Sequence, residues 1–304
     1  MSFQAAVASL WIRARIKPKP AGEEELVKFT RRVFATPAWA VRFHSREVDI
    51  EEREEPVKGE WLWARDGAQT SRVIYYLHGG GYVSGSAKGC RPITATLARL
   101  LKARSFALDY RLAPEFRFPA ALEDAVAGYR WLISTGIDSR EISVVGDSAG
   151  GGLVLALVMK LRDSGDPLPS SVVSLSPWTD MAGTGESIWA NSKRDPFFVP
   201  DDVERYAQLY LGAQSRQTPL ASPLYGDFKG LPPLLIQSGE SEMLLDDARN
   251  VHAKAVAASV PSELQIFKGV PHVWHLMTPF VPEARVALHK VAEFIEHHGA
   301  GRLL

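Results

Sequence analysis

The sequence predicts an α/β fold, a mostly parallel, doubly wound sheet with helices on both faces. Two observations predict it. Short apolar runs rich in Val, Ile, Leu and aromatics recur at residues 73–77, 106–108, 142–145, 172–175 and 234–236, with 264–267 as one more. They are mostly apolar, as strands buried on both faces are. Helical patterns separate them, at 93–101, 120–134, 149–162, 246–258 and 283–297. Strand–helix alternation with right-handed crossovers produces this architecture.

The remaining segments depart from the alternation. Residues 1–40 read as two helices broken at Pro18-Lys19-Pro20-Ala21-Gly22. Ala5, Ala6, Leu10 and Ile12 suggest an amphipathic first helix. Glu23-Glu24-Glu25 then places negative charge at a helix start, ahead of Leu26, Phe29, Val33 and Phe34 at helical spacing. This pair is either a structural appendage or a lid. Residues 41–50 and 61–64 alternate like strands, separated by a charged stretch and a turn. Residues 183–230 contain no buried-strand pattern. They hold Trp189, Pro196-Phe197-Phe198 and a helix-like stretch at 201–211, and read as an insertion between two sheet strands. The division is therefore an N-terminal helical segment (1–40), an α/β body (41–182 and 231–304) and an insertion (183–230).

With 304 residues, 46% hydrophobic and 23% charged, the chain can bury a large core. Lys plus Arg and Asp plus Glu are equal at 35 each, which argues against a dedicated nucleic-acid binder. Cys90, the single cysteine, cannot form an internal disulfide, which fits a reducing compartment. It lies apart from the motifs and reads as a small packed residue rather than a nucleophile. Residues 3–10 are too short and too poorly flanked for a secretory leader, and no apolar run approaches the roughly 20 residues of a transmembrane helix. A cytoplasmic location without stable membrane insertion is the expectation.

Gly146-Asp147-Ser148-Ala149-Gly150 matches G-x-S-x-G between a strand and a helix. There the serine occupies a tight turn, with its hydroxyl projecting above the sheet and a helix N-terminus behind it. His78-Gly79-Gly80-Gly81 follows the 73–77 strand. Such a loop can approach a carbonyl closely and, with the Ala149 N–H, donate to a developing oxyanion. No phosphate-loop spacing fits there. His78 reads as a residue that orders this loop. The chemistry further requires an acid and then a base, in that chain order. Four carboxylates follow the 233–237 strand: Glu240, Glu242, Asp246 and Asp247. The two aspartates suit the start of the next helix, leaving Glu240 and Glu242 as rivals. For the base, His272 and His275 follow the last strand. Their spacing alone could suggest a metal, but no third ligand cluster accompanies them, and no metal or cofactor is expected. His252, His289, His297 and His298 fall on helical patterns and read as solvated or packed positions.

The chain resembles the hormone-sensitive-lipase-like group of α/β-hydrolase esterases. The stretches that carry the likeness are His78-Gly79-Gly80-Gly81-Tyr82, Asp109-Tyr110-Arg111-Leu112-Ala113-Pro114-Glu115, Phe118-Pro119-Ala120-Ala121-Leu122-Glu123-Asp124, Gly146-Asp147-Ser148-Ala149-Gly150-Gly151 and Pro271-His272. The resemblance implies an α/β-hydrolase fold, Ser148 as nucleophile and His272 as base. It implies Gly80, Gly81 and Ala149 as oxyanion donors. The acid is usually Asp in an Asp-Pro-Leu-like context, and here that position is Glu242, a departure. The resemblance also implies a cap built from 1–40 and 183–230, and a loop-holding role for 110–115.

The expected activity is hydrolysis of short to medium acyl esters through an acyl-enzyme. An amidase, lactonase or deacetylase would use the same machinery. Receptor members of the family lack the histidine that stands here at 272. A small-molecule ester is the expected partner, and the 264–267 strand could pair two copies at a sheet edge.

Overall fold

The computed structural model describes residues 1–35 and 43–300. The predicted boundary at residues 40 and 41 lies outside the described residues. Eight strands form one sheet: β1 (Val48–Arg53), β2 (Gly59–Ala64), β3 (Val73–Leu77), β4 (Arg104–Leu108), β5 (Ile142–Asp147), β6 (Ser171–Leu175), β7 (Leu234–Gly239) and β8 (Ser262–Phe267). Their spatial order is β1-β2-β4-β3-β5-β6-β7-β8. Only β1–β2 and β2–β4 are antiparallel; the five pairings from β4 to β8 are parallel. This is the doubly wound α/β-hydrolase arrangement.

The helices are α1 (Phe3–Arg15), α2 (Glu23–Val33), α3 (Arg91–Leu101), α4 (Ala120–Ser134), α5 (Ala149–Ser164), α6 (Ser187–Ala190), α7 (Asp201–Leu211), α8 (Leu245–Ala257) and α9 (Pro282–His298). Successive strand residues feed two cores. Tyr75 and Leu77 pack with α4 and α5 on one face, whereas Ile74 and Tyr76 pack with α3 and α9 on the other. That is the period-two geometry of a strand buried on both sides.

Two expectations are corrected. The first strand begins at Val48, not at 41, and it runs through Glu51-Glu52-Arg53, read above as a separator. β1 is an edge strand with exposed positions, where Glu51 pairs with Arg53 at 3.2 Å and Glu52 with Lys88 at 2.8 Å, so no apolar run is needed. In α1, Ala5 and Ile12 face inward, but Leu10 is 67% exposed. The helix is apolar on two sides, and the inner side is the one with small Ala5 against Trp274, Val281 and Ala284. At the other sheet edge lies β8, paired only with β7.

Because β3 and β5 to β8 are parallel, their C-terminal ends share one edge of the sheet. Leu77 is in register with Gly146, Asp147 with Leu175, Leu175 with Gln237, and Gly239 with Phe267. The loops leaving these ends carry the motif residues. This is the edge at which open α/β sheets bind ligands.

Candidate active site

Ser148 follows β5 directly and precedes α5. Its backbone is left-handed, at φ 52° and ψ −118°, a strained conformation for a residue with a Cβ. The turn survives because its ends are fixed. Ser148 N–H donates to Leu175 O at 2.8 Å, and Ser148 O accepts from Gly152 N and Trp178 N at 3.1 and 3.0 Å. Gly150 is required by close packing, since a Cβ there would lie 2.0 Å from Leu77 O.

The imidazole of His272 spans two partners. Its Nε2 is 2.8 Å from Ser148 Oγ, and its Nδ1 is 2.7 Å from Glu242 Oε2. All three side chains are buried: Ser148 is 8% exposed, His272 4% and Glu242 1%. Burial is the largest influence on His272 and pulls its pKa down. The hydrogen bond and charge of Glu242, aided by the charges of Asp195 and Asp147, outweigh it, so the pKa stands above the ordinary histidine value.

The two glutamate rivals part ways structurally. β7 runs to Gly239, two residues beyond the predicted end, and Glu240 N–H still pairs with Phe267 O on the next strand. Its carboxylate turns outward to Arg194 at 3.5 Å. The chain then folds back, Glu242 N–H donating to Gly239 O at 3.1 Å. This returns Glu242 Oε1 to the Gly239 N–H and to Ser176 Oγ, the latter at 2.8 Å. Asp246 and Asp247 stand in the first turn of α8, as expected. Asp247, raised to about 7 by burial, accepts from the Thr179 and Asp180 N–H groups.

His275, the rival base, does not reach Ser148. Its Nε2 pairs with Gln237 Oε1 at 2.8 Å and its ring stacks on Trp274. Burial first, then the nearby His272, pulls its pKa down to about 3, so it is a neutral core residue. Among the described residues no cluster of His, Cys, Asp and Glu could hold a metal ion.

The glycine loop is braced from beneath. Asp147 Oδ1 accepts from Gly79 N–H at 2.9 Å and from Tyr76 OH at 2.7 Å. Gly80 has φ +118°, and a Cβ there would lie 2.3 Å from Ser84 O, so only glycine fits. His78 stacks on Tyr110 at 4.2 Å, and Tyr110 OH donates to His78 O at 2.6 Å. Ala113 N–H donates to Tyr82 O at 2.8 Å. The 110–115 stretch thus ties down the loop. The N–H groups of Gly80, Gly81 and Ala149 have no hydrogen-bond partner among the described residues.

A cavity of about 170 Å³ opens onto Ser148 and His272. Its other walls are Ile16, Phe29 and Phe34 from the N-terminal helices and Phe197, Phe198 and Tyr206 from the insertion. Phe198 lies edge-on to His272 at 4.9 Å. Cys90 also lines it, closer to the chemistry than the sequence suggested. Its thiol donates to Ala87 O and burial holds its pKa well above the usual value, so it is inert.

Three residues of this site were not singled out from the sequence. Ser176, left-handed at φ 46°, donates to Glu242 through Oγ and accepts there from Val273 N–H at 3.2 Å. It joins the acid loop to the histidine loop. Asn191 Nδ2 donates to the carbonyls of Glu240 and Glu242 at 3.1 and 2.9 Å. Asp195, fully buried, accepts from Met243 N–H at 2.8 Å and from the N–H groups of Phe197 and Phe198. Ser176 follows a strand end at the right sheet edge, which is the one signal that could have found it. The other two lie in a segment with no pattern to place them.

Comparison with known proteins agrees with this fold. The alpha/beta hydrolase fold family matches residues 74–276. An acetyl-hydrolase of Streptomyces hygroscopicus is 42% identical over 77% of this chain and 78% of its own. The crystal structure of an esterase from the bacterial hormone-sensitive lipase family superposes with a TM-score of 0.90 at 41% identity, covering 98% of this chain and 99% of that one. EstE5, a structure obtained after soaking with p-nitrophenyl butyrate, is 38% identical with a TM-score of 0.89, over 98% and 99% of the two chains. The chain belongs to the α/β-hydrolase fold family, among its hormone-sensitive-lipase-like esterases.

Proposed function

We propose that this enzyme hydrolyses carboxylic esters with short to medium acyl chains, with Ser148 as nucleophile, His272 as general base and Glu242 as the acid that orients it. The observation that carries this is the His272 imidazole held within hydrogen-bond reach of both Ser148 Oγ and Glu242 Oε2. Glu242 accepts a hydrogen bond from Nδ1–H, so Nε2 is free to take the proton of the serine hydroxyl. Ser148 Oγ then attacks the ester carbonyl carbon. The carbonyl oxygen, now negative, is received by the N–H groups of Gly80, Gly81 and Ala149, which no other group occupies among the described residues. Collapse expels the alcohol, which leaves with the proton from His272. Water, deprotonated by the same imidazole, attacks the acyl-enzyme and releases the acid.

The N-terminal helices and the 183–230 insertion act together as a cap. They supply the apolar walls of the cavity, and the cavity's small size suits short chains better than triglycerides. The relative with acetyl-hydrolase in its name and the neighbour soaked with a butyryl ester support that range.

The test is turnover of p-nitrophenyl acetate, butyrate, octanoate and palmitate by the wild type and by Ser148→Ala. The wild type is expected to favour the shorter esters. The variant is expected to fold and to lose about 10⁴-fold or more in kcat. A folded Ser148→Ala with retained activity refutes the nucleophile assignment, and a preference for palmitate refutes the chain-length range.

A further inference from the structure

The cavity at Ser148 shares a wall with a second, outward-facing apolar groove of about 560 Å³. Phe3, Val7 and Trp11 of α1 line the groove on one side, and Phe280 and Val281 on the other. Three residues line both spaces: Ile16, Phe197 and Met277. They pack with Ile12 into one small apolar cluster. The α1 helix explains the arrangement. Its inward positions 5, 12 and 16 are buried. Its outward positions 3, 7, 10 and 11, again at helical spacing, are apolar and exposed, with Phe3 at 81% and Trp11 at 59%. Phe280 adds a further ring at 54%. A contiguous exposed apolar surface of this kind marks a place where something apolar is bound. It adjoins the reactive cavity through residues that line both.

We propose that Ile16, Phe197 and Met277 set chain length by separating the cavity from the groove, so that the groove takes the alkyl chain of the substrate only when that wall gives way. This rests on the ester-hydrolase reading above. The wall is one side chain thick, and Met277 is its adaptable member, unbranched and with three rotatable bonds. With the wall in place, chains end inside the cavity. With it thinned, the chain continues along the outer face of α1 against Val7 and Trp11. Each methylene that enters an apolar site is worth several-fold in binding, so the effect grows with chain length.

The occupant is a saturated alkyl chain, and it can come from the acid or from the alcohol of the ester. Two substrate series separate these sources: p-nitrophenyl esters from butanoate to dodecanoate, and alkyl acetates from ethyl to decyl. Ile16→Ala and Met277→Ala, checked for folding by thermal unfolding, are expected to raise the long-to-short ratio of kcat/KM about tenfold or more in one series. Adding Trp11→Asp to either variant is expected to return the ratio toward the wild-type value, because it places a charge in the groove and leaves the cavity lining intact. An unchanged ratio in both series overturns the proposal. A rise that Trp11→Asp does not reverse also overturns it, since the cavity alone would then hold the chain. Absence of butyrate turnover in the wild type would instead overturn the ester-hydrolase reading, and this inference with it.

Discussion

On the sheet side of the site, Ser148, the glycine loop, Glu242 and His272 leave strand ends whose register is set by the backbone ladder. On the cap side, the two segments pack Leu26, Val27 and α7 onto the core and are tied to each other by individual cationic side chains. Arg13 donates to the Lys193 and Arg194 carbonyls, Lys17 to those of Ser192 and Asp195, and Arg205 to those of Pro20 and Ala21. Lys19 donates to Phe197 O and pairs with buried Asp202 at 2.9 Å. Thr30 and Tyr206 share a hydroxyl contact at 2.7 Å. One side is built from a continuous backbone ladder, the other from apolar packing of α2 and α7 onto the core with single long side chains over loop carbonyls. Stability is expected to differ accordingly, with the cap opening at lower free energy than the sheet. On the proposed reading, chemistry sits on the sheet side and selection of the substrate chain on the cap side.

The largest effect that tests this contrast is on the sheet side, at the acid. Glu242→Ala is expected to cost about a thousandfold or more in kcat/KM, while Glu240→Ala stays within a few-fold, because Glu240 touches Arg194 and not the imidazole. The pH profile supplies a second readout. Glu242 is what lifts the His272 pKa against burial, and activity requires the neutral imidazole. In the wild type, kcat/KM is therefore expected to fall with acid through a pKa above 6.5, the ordinary histidine value. In Glu242→Gln the residual activity falls at lower pH, since the raising charge is gone. Equal losses at both glutamates would transfer the role or divide it.

A smaller effect is expected where the two sides meet, at Asp195. This residue belongs to the insertion, yet it accepts from Met243 N–H next to Glu242. Its carboxyl is pushed up by burial, with its charge also acting on His272. Asp195→Asn keeps the volume and one acceptor but removes that charge. We expect a loss of about 10- to 100-fold in kcat with the His272-dependent limb displaced to lower pH. A change in KM alone would confine Asp195 to holding the cap.

These residues also show how far the sequence could be read. Ser148, the glycines and His272 were legible because each stands in a local pattern beside an apolar strand, and the sheet then determines where such patterns converge. Glu242 was not separable from Glu240 by spacing, because the choice depends on β7 extending two residues and on a turn closed by hydrogen bonds. Asn191 and Asp195 were illegible for a stronger reason. Their partners lie 49 to 51 and 48 residues away in sequence, on backbone groups that carry no side-chain signature. The cap resists reading in general, since Lys and Arg donating to carbonyls look like any solvated basic residue until the chain is folded.

The smallest effect on chemistry, and the clearest on stability, belongs to the cap anchor. Lys19 and Asp202 are 4% and 1% exposed at their side chains, and Asp202 also accepts from Val199 N–H. Lys19→Met removes the ammonium over Phe198 and takes from the buried Asp202 carboxylate its close partner, leaving Arg205 at 3.8 Å, a change that costs up to about 3 kcal/mol. If the cap opens apart from the sheet, that cost appears as faster amide exchange in α1, α2 and α7, with β3, β5 and β6 protected as before. KM should rise a few-fold for butyrate esters while kcat holds. Replacing both partners, Lys19→Met with Asp202→Leu, should restore most of the stability, because the buried charge is gone. Exchange that accelerates equally in the strands would mean that cap and sheet unfold as one unit, and the division drawn between them would fail.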